Sequence, residues 1–187
     1  MKGQFLAYQI SAEDNDSYMF ASDFVTPRCE VCGVVLDFEV INPRFRVNRR
    51  GFDCSYTYDG RCVVSKKFKK FCESRDLRGL VFAPLPSDDD FFSSKAKQEI
   101  AFDAEARKTQ FSAFCDRCRR FRYVAGATPA FLRDTTQIID RGIFSTDIHF
   151  GSDDAKHPLL LVGLTTAKEL KSAAMKGIYF RPVPASK

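Results

Sequence analysis

The chain has 187 residues, 44% of them hydrophobic and 28% charged, ordinary proportions for a globular protein that builds its own core. Its net charge of +5, from 29 basic and 24 acidic residues, is far below that of a dedicated nucleic-acid binder. No apolar run is long enough to span a bilayer, and Met1 to Leu6 lack the apolar stretch of a secretory signal, so the expected location is the cytoplasm.

Residues 1–28 form an opening segment with Glu13, Asp14 and Asp16 and a short apolar stretch, Tyr18 to Phe24. The pair Cys29-Glu-Val-Cys32-Gly33 follows. Leu36, Phe38 and Val40 then alternate with Asp37 and Glu39, which predicts a half-buried strand. The run Phe52 to Tyr58 reads as another strand, ending at the hairpin signal Asp59-Gly60. Ser65 caps a helix over Lys66 to Ser74, whose Phe68, Phe71 and Cys72 share one face. That helix stops before Gly79, and Leu80 to Pro86 close the segment.

The acid run Asp88-Asp89-Asp90 comes next, and Ser93 or Ser94 caps an expected connecting helix over Lys95 to Lys108. Beyond it lie Cys115-Asp-Arg-Cys118 and a strand, Phe121 to Val124. The segment Arg141 to Gly151 parallels Arg50 to Gly60. Thr165-Thr166 open a helix, Ala167 to Met175, that ends at Gly177, and Ile178 to Pro184 close the chain. The closing pattern Gly-[Leu/Ile]-x-Phe-x-Pro-[Leu/Val]-Pro therefore occurs twice, at Gly79 and at Gly177. A glycine that caps a helix, a short strand and prolines that confine it to an edge are a complete local unit. Its recurrence, in the same order of knuckle, strand and helix, indicates duplication. The expected fold is α+β, with two related lobes sharing a four-cysteine, zinc-ribbon-like site. The divisions are 1–86 (N-terminal lobe), 87–110 (connecting helix) and 111–187 (C-terminal lobe).

Seven cysteines in a cytosolic chain argue against a disulfide framework. Two residues between cysteines let one tight turn aim two sulfurs at a single ion, and two such turns complete a tetrahedral thiolate site. Cys29, Cys32, Cys115 and Cys118 are therefore the expected ligands of one structural Zn2+. Compact ribbons space their pairs by about 15 to 20 residues; here the gap is several times longer, and pseudo-symmetric lobes would bridge it. Thioredoxin-like redox chemistry and inert buried thiols are the competing readings. Cys54, Cys62 and Cys72 read as small core residues, with roles the sequence leaves open.

A closed tetrathiolate site has no free coordination position, and no hydrolase, zincin or P-loop signature occurs. The two histidines, His149 and His157, carry no dyad signature. The expectation is a protein that is not an enzyme. Two basic, aromatic-interleaved segments, Pro43 to Arg50 and Arg117 to Tyr123, suggest nucleic-acid binding as the alternative. In a strand, however, Arg120 and Arg122 face away from Phe121 and Tyr123, which also describes a half-buried strand with a solvated face.

The two separated C-x-x-C motifs, Cys29-Glu-Val-Cys32-Gly33 and Cys115-Asp-Arg-Cys118, resemble those of the double-CXXCG immunity proteins of bacterial polymorphic-toxin and contact-dependent competition systems. Gly142 to Gly151 and the closing Gly177 to Val183 also look like related immunity families. In the second knuckle Arg119 stands where that pattern has Gly. The resemblance implies a cytoplasmic protein that binds a cognate toxin domain and neutralises it by occlusion. Asp88, Asp89, Asp90, Asp153 and Asp154 are the candidate partner-contact residues.

Overall fold

The computed structural model describes residues 5–20, 24–77, 79–133 and 138–185. The apolar stretch Tyr18 to Phe24 lies partly outside them. In chain order the elements are β1 (Phe5–Asp14), β2 (Cys54–Tyr56), β3 (Cys62–Ser65), α1 (Lys66–Ser74), β4 (Leu80–Leu85), β5 (Asp88–Ala96), β6 (Glu99–Ile100), α2 (Ala104–Arg107), β7 (Gln110–Cys115), β8 (Arg120–Ala125), β9 (Ile143–Ser152), a 3₁₀ turn at Asp153–Ala155, β10 (His157–Val162), α3 (Leu164–Ser172) and β11 (Ile178–Pro184). The class is α+β, mostly sheet.

The order hairpin, helix, strand occurs twice. In the first half β2 and β3 pair antiparallel, α1 follows, and β4 returns. In the second, β9 and β10 pair antiparallel, α3 follows, and β11 returns. In each case one further strand lies between the hairpin and the returning strand, antiparallel to its neighbours. β5 fills that place between β3 and β4. β1 fills it between β10 and β11. The opening segment of the chain is therefore the central strand of the second unit, and Leu6, Ala7, Gln9 and Ile10 are buried accordingly.

The two units meet reciprocally. The end of β1 pairs parallel with β2, Glu13 opposite Ser55, and β6, which follows β5, pairs parallel with β9, Glu99 opposite Ser145. The two repeated glycines sit at these seams. A Cβ on Gly79 (φ +143°) would lie 2.3 Å from the Ile143 carbonyl oxygen, and one on Gly177 (φ +79°) 2.8 Å from that of Cys54. Each unit thus presses a bare backbone against the first strand of the other, and only glycine permits the approach. A shared core of Ile10, Cys54, Val64, Phe68, Cys72, Leu80, Ile143, Leu160, Val162 and Leu170 draws on both units.

Several expected elements differ. The connecting helix over Lys95 to Lys108 is not formed: β5 continues to Ala96, paired with β4 from Leu80↔Ala96 to Phe82↔Ser94. Burial of Phe91 and Ala96 in that pairing overrides the local helical preference of Ala and Lys. Only one helical turn survives, α2, capped by the Asp103 carboxylate on the Ala106 N–H. Leu36 to Val40 are irregular instead of a strand, because Asp37 turns back to accept from the Glu39 N–H at 2.8 Å. α1 forms as expected, with Ser65 accepting from the Phe68 N–H at 3.1 Å. α3 begins three residues early, at Leu164, and ends at Ser172.

Candidate metal centre

The two C-x-x-C pairs sit in matching turns built from different scaffolds. Around Cys29 the chain makes a short hairpin: Arg28 bridges Val35, the Cys29 N–H donates to Val34 O (2.9 Å), and the Gly33 N–H donates to Cys29 O (2.8 Å). Around Cys115 the turn joins β7 to β8: Cys115 pairs with Arg120, and the Arg119 N–H donates to Cys115 O, again at 2.8 Å. The residue after each second cysteine is left-handed, Gly33 at φ +75° and Arg119 at φ +59°. Arg119 thus adopts the glycine conformation despite its side chain, a cost of roughly 1–2 kcal/mol. Its guanidinium lies over the Phe114 ring, 5.8 Å from the centroid.

These turns bring together the four predicted ligands. The Cys29 and Cys115 sulfurs are 3.8 Å apart and those of Cys32 and Cys118 3.7 Å, and all four lie within 4.8 Å of one another. A regular tetrahedron with metal–sulfur bonds of about 2.3 Å has edges of about 3.8 Å. The donor set and its size therefore fit one metal ion held by four thiolates. Cys29 and Cys115 are buried, Cys32 and Cys118 partly so.

The thiols are already unequal. The backbone N–H groups of Cys32 and Val31 pull Cys29 down to about 6. Cys32 also receives a backbone N–H, from Val34, but burial and the neighbouring thiols outweigh it and push it up to about 11. The first negative charge is welcomed and the next resisted, as expected where sulfurs crowd without a cation. A divalent ion removes that repulsion. Arg28, Arg117 and Arg120 line the same recess and balance the charge of a tetrathiolate centre.

The turns are braced by the 3₁₀ turn at Asp153–Ala155. Asp154 accepts from the Val35 N–H (2.8 Å) and from Arg28 Nη1 (2.6 Å), tying the first knuckle to β9. Asp153 accepts from Arg122 Nε (2.7 Å) on β8. Lys156 donates to the Phe121 carbonyl, and Arg120 donates to Val35 O (2.9 Å) and Leu36 O (3.0 Å), crossing from one knuckle to the other. Asp153 and Asp154, both candidate partner-contact residues, brace the cysteine cluster and keep part of their surface in solvent. Asp88 is likewise committed: it is buried and accepts from the Val47 N–H (3.1 Å) and Arg50 Nη1 (2.7 Å). Asp90 meets the other branch of Arg50 at 2.9 Å. Asp89 is exposed.

Two features escaped the sequence reading. On the β7–β8 hairpin, Phe111, Phe114, Phe121 and Tyr123 form an open aromatic strip, 36–44% exposed, with Phe114 and Phe121 rings 4.9 Å apart. The alternation of β8 had placed Phe121 and Tyr123 on a buried face. Among the described residues no element covers that face, so periodicity alone gave the wrong burial. The second is a cavity of about 130 Å³ between the two hairpins, lined by Tyr56, Arg61, Cys62, Ser94, His149 and His157 among others. Both histidines line it, and burial pulls each below its ordinary value, His149 to about 4. Nothing local marks these positions, because they converge only through strand pairing.

No protein-family model matches the chain, and a search of curated proteins finds no match.

Proposed function

We propose that this protein is a cytoplasmic immunity protein that binds and neutralises a cognate bacterial toxin domain, and that it is not an enzyme. The two hairpin–helix–strand units act as related lobes sharing a zinc-ribbon-like centre, with Zn2+ on Cys29, Cys32, Cys115 and Cys118. Zinc is the natural occupant of a closed four-thiolate tetrahedron, and such a centre serves architecture.

The observation that carries the reading is the aromatic strip beside that centre. Phe111, Phe114, Phe121 and Tyr123 stand in the open on a hairpin whose tip, Cys115 to Cys118, is part of the thiolate cluster. Aromatic side chains on a metal-fixed hairpin lose little freedom on docking, which favours tight association. The acidic run contributes at most Asp89 and Asp90. A nucleic-acid reading is weaker because the cations of β8 are already engaged, Arg120 on backbone carbonyls and Arg122 on Asp153.

The test is co-expression with the toxin domain encoded beside this protein. Growth should be rescued, and the two chains should co-elute as a one-to-one complex. Failure of both, with RNA or DNA binding that weakens steeply with salt, overturns this reading in favour of a zinc-ribbon nucleic-acid-binding protein.

A further inference from the structure

The three cysteines outside the knuckles are not equivalent. Cys54 and Cys72 are buried in the shared core, whereas Cys62 lines the cavity between the hairpins. The Cys62 and Cys54 sulfurs are 3.9 Å apart, on neighbouring strands of the β2–β3 hairpin. Ser94 Oγ donates to the Cys62 sulfur at 3.2 Å. The preceding residue, Arg61, lines the same cavity, and its guanidinium has no hydrogen bond or ion pair among the described residues. It lies over the rings of Phe38 (5.2 Å) and Phe20 (5.6 Å). One sulfur therefore faces a space that admits a small molecule. It has a second thiol behind it, a hydroxyl donor beside it and a ring-stacked cation at the wall.

We propose that Cys62 and Cys54 form a peroxide-reactive thiol pair, with Cys62 oxidised by a small hydroperoxide that enters the cavity and Cys54 closing a disulfide. The Cys62 thiolate attacks the terminal oxygen of the peroxide, the O–O bond breaks, and the departing alkoxide or hydroxide takes up the proton that the Cys62 thiol released on ionising. Cys62 is then a sulfenic acid. The Cys54 sulfur attacks the Cys62 sulfur, the S–O bond breaks, and the hydroxyl departs as water with the Cys54 proton. Two thiols and one hydroperoxide become one disulfide, one alcohol (or water) and one further water.

The local electrostatics agree with this division of roles. Cys62 is held below the ordinary thiol value, first by the hydrogen bond from Cys54 and then by the Ser94 and Tyr56 hydroxyls and Arg61. Cys54 is raised by the same contact, and by burial, so it keeps its proton. The thiolate is the nucleophile. Diagonal neighbours across a strand pair are spaced more widely than disulfide geometry prefers, so the bond forms under strain and is readily reduced.

The experiment uses the zinc-loaded full chain and hydrogen peroxide. After a short exposure, free thiols are blocked with N-ethylmaleimide in denaturant and the protein is cut with trypsin without reductant. The expected product is the peptide Gly51–Arg61 joined to Cys62–Lys66, two hydrogens lighter than the separate peptides and separated again by dithiothreitol. Cys62 should react at least about tenfold faster than buried Cys72. In C54S the sulfenic acid on Cys62 should persist and be trapped by dimedone; in C62S, Cys54 should stay reduced. The removal of one donor in S94A should slow Cys62 severalfold. Equal protection of Cys62 and Cys72, or oxidation of Cys54 in C62S, overturns the proposal. These peptides contain no knuckle cysteine, so the result stands apart from the outcome for metal or toxin.

Discussion

Asp154 connects the 3₁₀ turn after β9 to the first knuckle, and its replacement measures how far that knuckle is held in place before metal arrives. In D154A the Val35 N–H loses its acceptor in a residue that is 0% exposed, a cost of about 1–3 kcal/mol. The lost ion pair with Arg28, whose side chain is 43% exposed, adds at most about 1 kcal/mol. A total near 2 kcal/mol lowers the melting temperature of a chain this size by about 4–8 °C. Residues that orient ligands from behind typically change metal affinity about 10- to 100-fold. A competitive zinc titration against a chromophoric chelator should therefore show weaker binding by that factor in D154A. D154N retains an oxygen for the Val35 N–H and loses only charge, so it should recover most of both effects. Unchanged zinc affinity and melting temperature in D154A would refute the assignment of Asp154 as a brace. Equal damage in D154N would show that charge, not the hydrogen bond, holds the turn.

Removing a ligand is the coarser test: C115S should purify with no stoichiometric zinc by elemental analysis, while wild type carries about one ion per chain. G79A should be strongly destabilised or insoluble, since its Cβ would fall 2.3 Å from the Ile143 carbonyl oxygen at a φ of +143°; a melting temperature within 2 °C (about 1 kcal/mol) of wild type would contradict the seam described here. F114S, at an exposed position, should leave the melting temperature nearly unchanged and weaken toxin binding at least about tenfold; undiminished binding by calorimetry would remove the strip from the interface. His149 is held neutral, near 4 against an ordinary 6.5, so the unfolded chain takes up its proton first as pH falls. Its contribution is intact above about pH 6.5 and is lost progressively towards pH 4. The stability difference between wild type and H149Q, measured by urea unfolding, should shrink across that window; a flat difference would place His149 in solvent.

What the residues revealed in advance depended on how local the cause was. Two residues between cysteines, and the left-handed position that follows, are local, so both knuckles were legible even where Arg119 replaces Gly. The Gly79 and Gly177 motifs were equally visible, and each marks a helix end followed by a strand, β4 and β11. The strand that completes each unit was not. β5 begins in the acid run and only its last two residues, Lys95 and Ala96, fall in the expected helix; its state is set by pairing with β3 and β4. β1 and its partners β10 and β11 come from opposite ends of the sequence. The acidic residues mislead for a related reason. Charge in a sequence reads as solvated, whereas Asp88 and Asp154 are held by arginines and backbone N–H groups from distant segments.

The place of β1 bears on how the protein is made. β1 leaves the ribosome well before two of its three partners, since β10 and β11 are synthesised some 150 residues later. Until then its apolar positions, Leu6, Ala7 and Ile10, have no native cover, and its two edges can pair with other chains. The β2–β5 unit, whose strands are contiguous in sequence, can form while β1 waits. The insertion of β1 between β10 and β11 is a closure of very long range, the kind of contact that slows folding. Truncation before β11 would leave that step without an end point and β1 exposed along one edge, so C-terminal deletions should aggregate where internal loop changes do not.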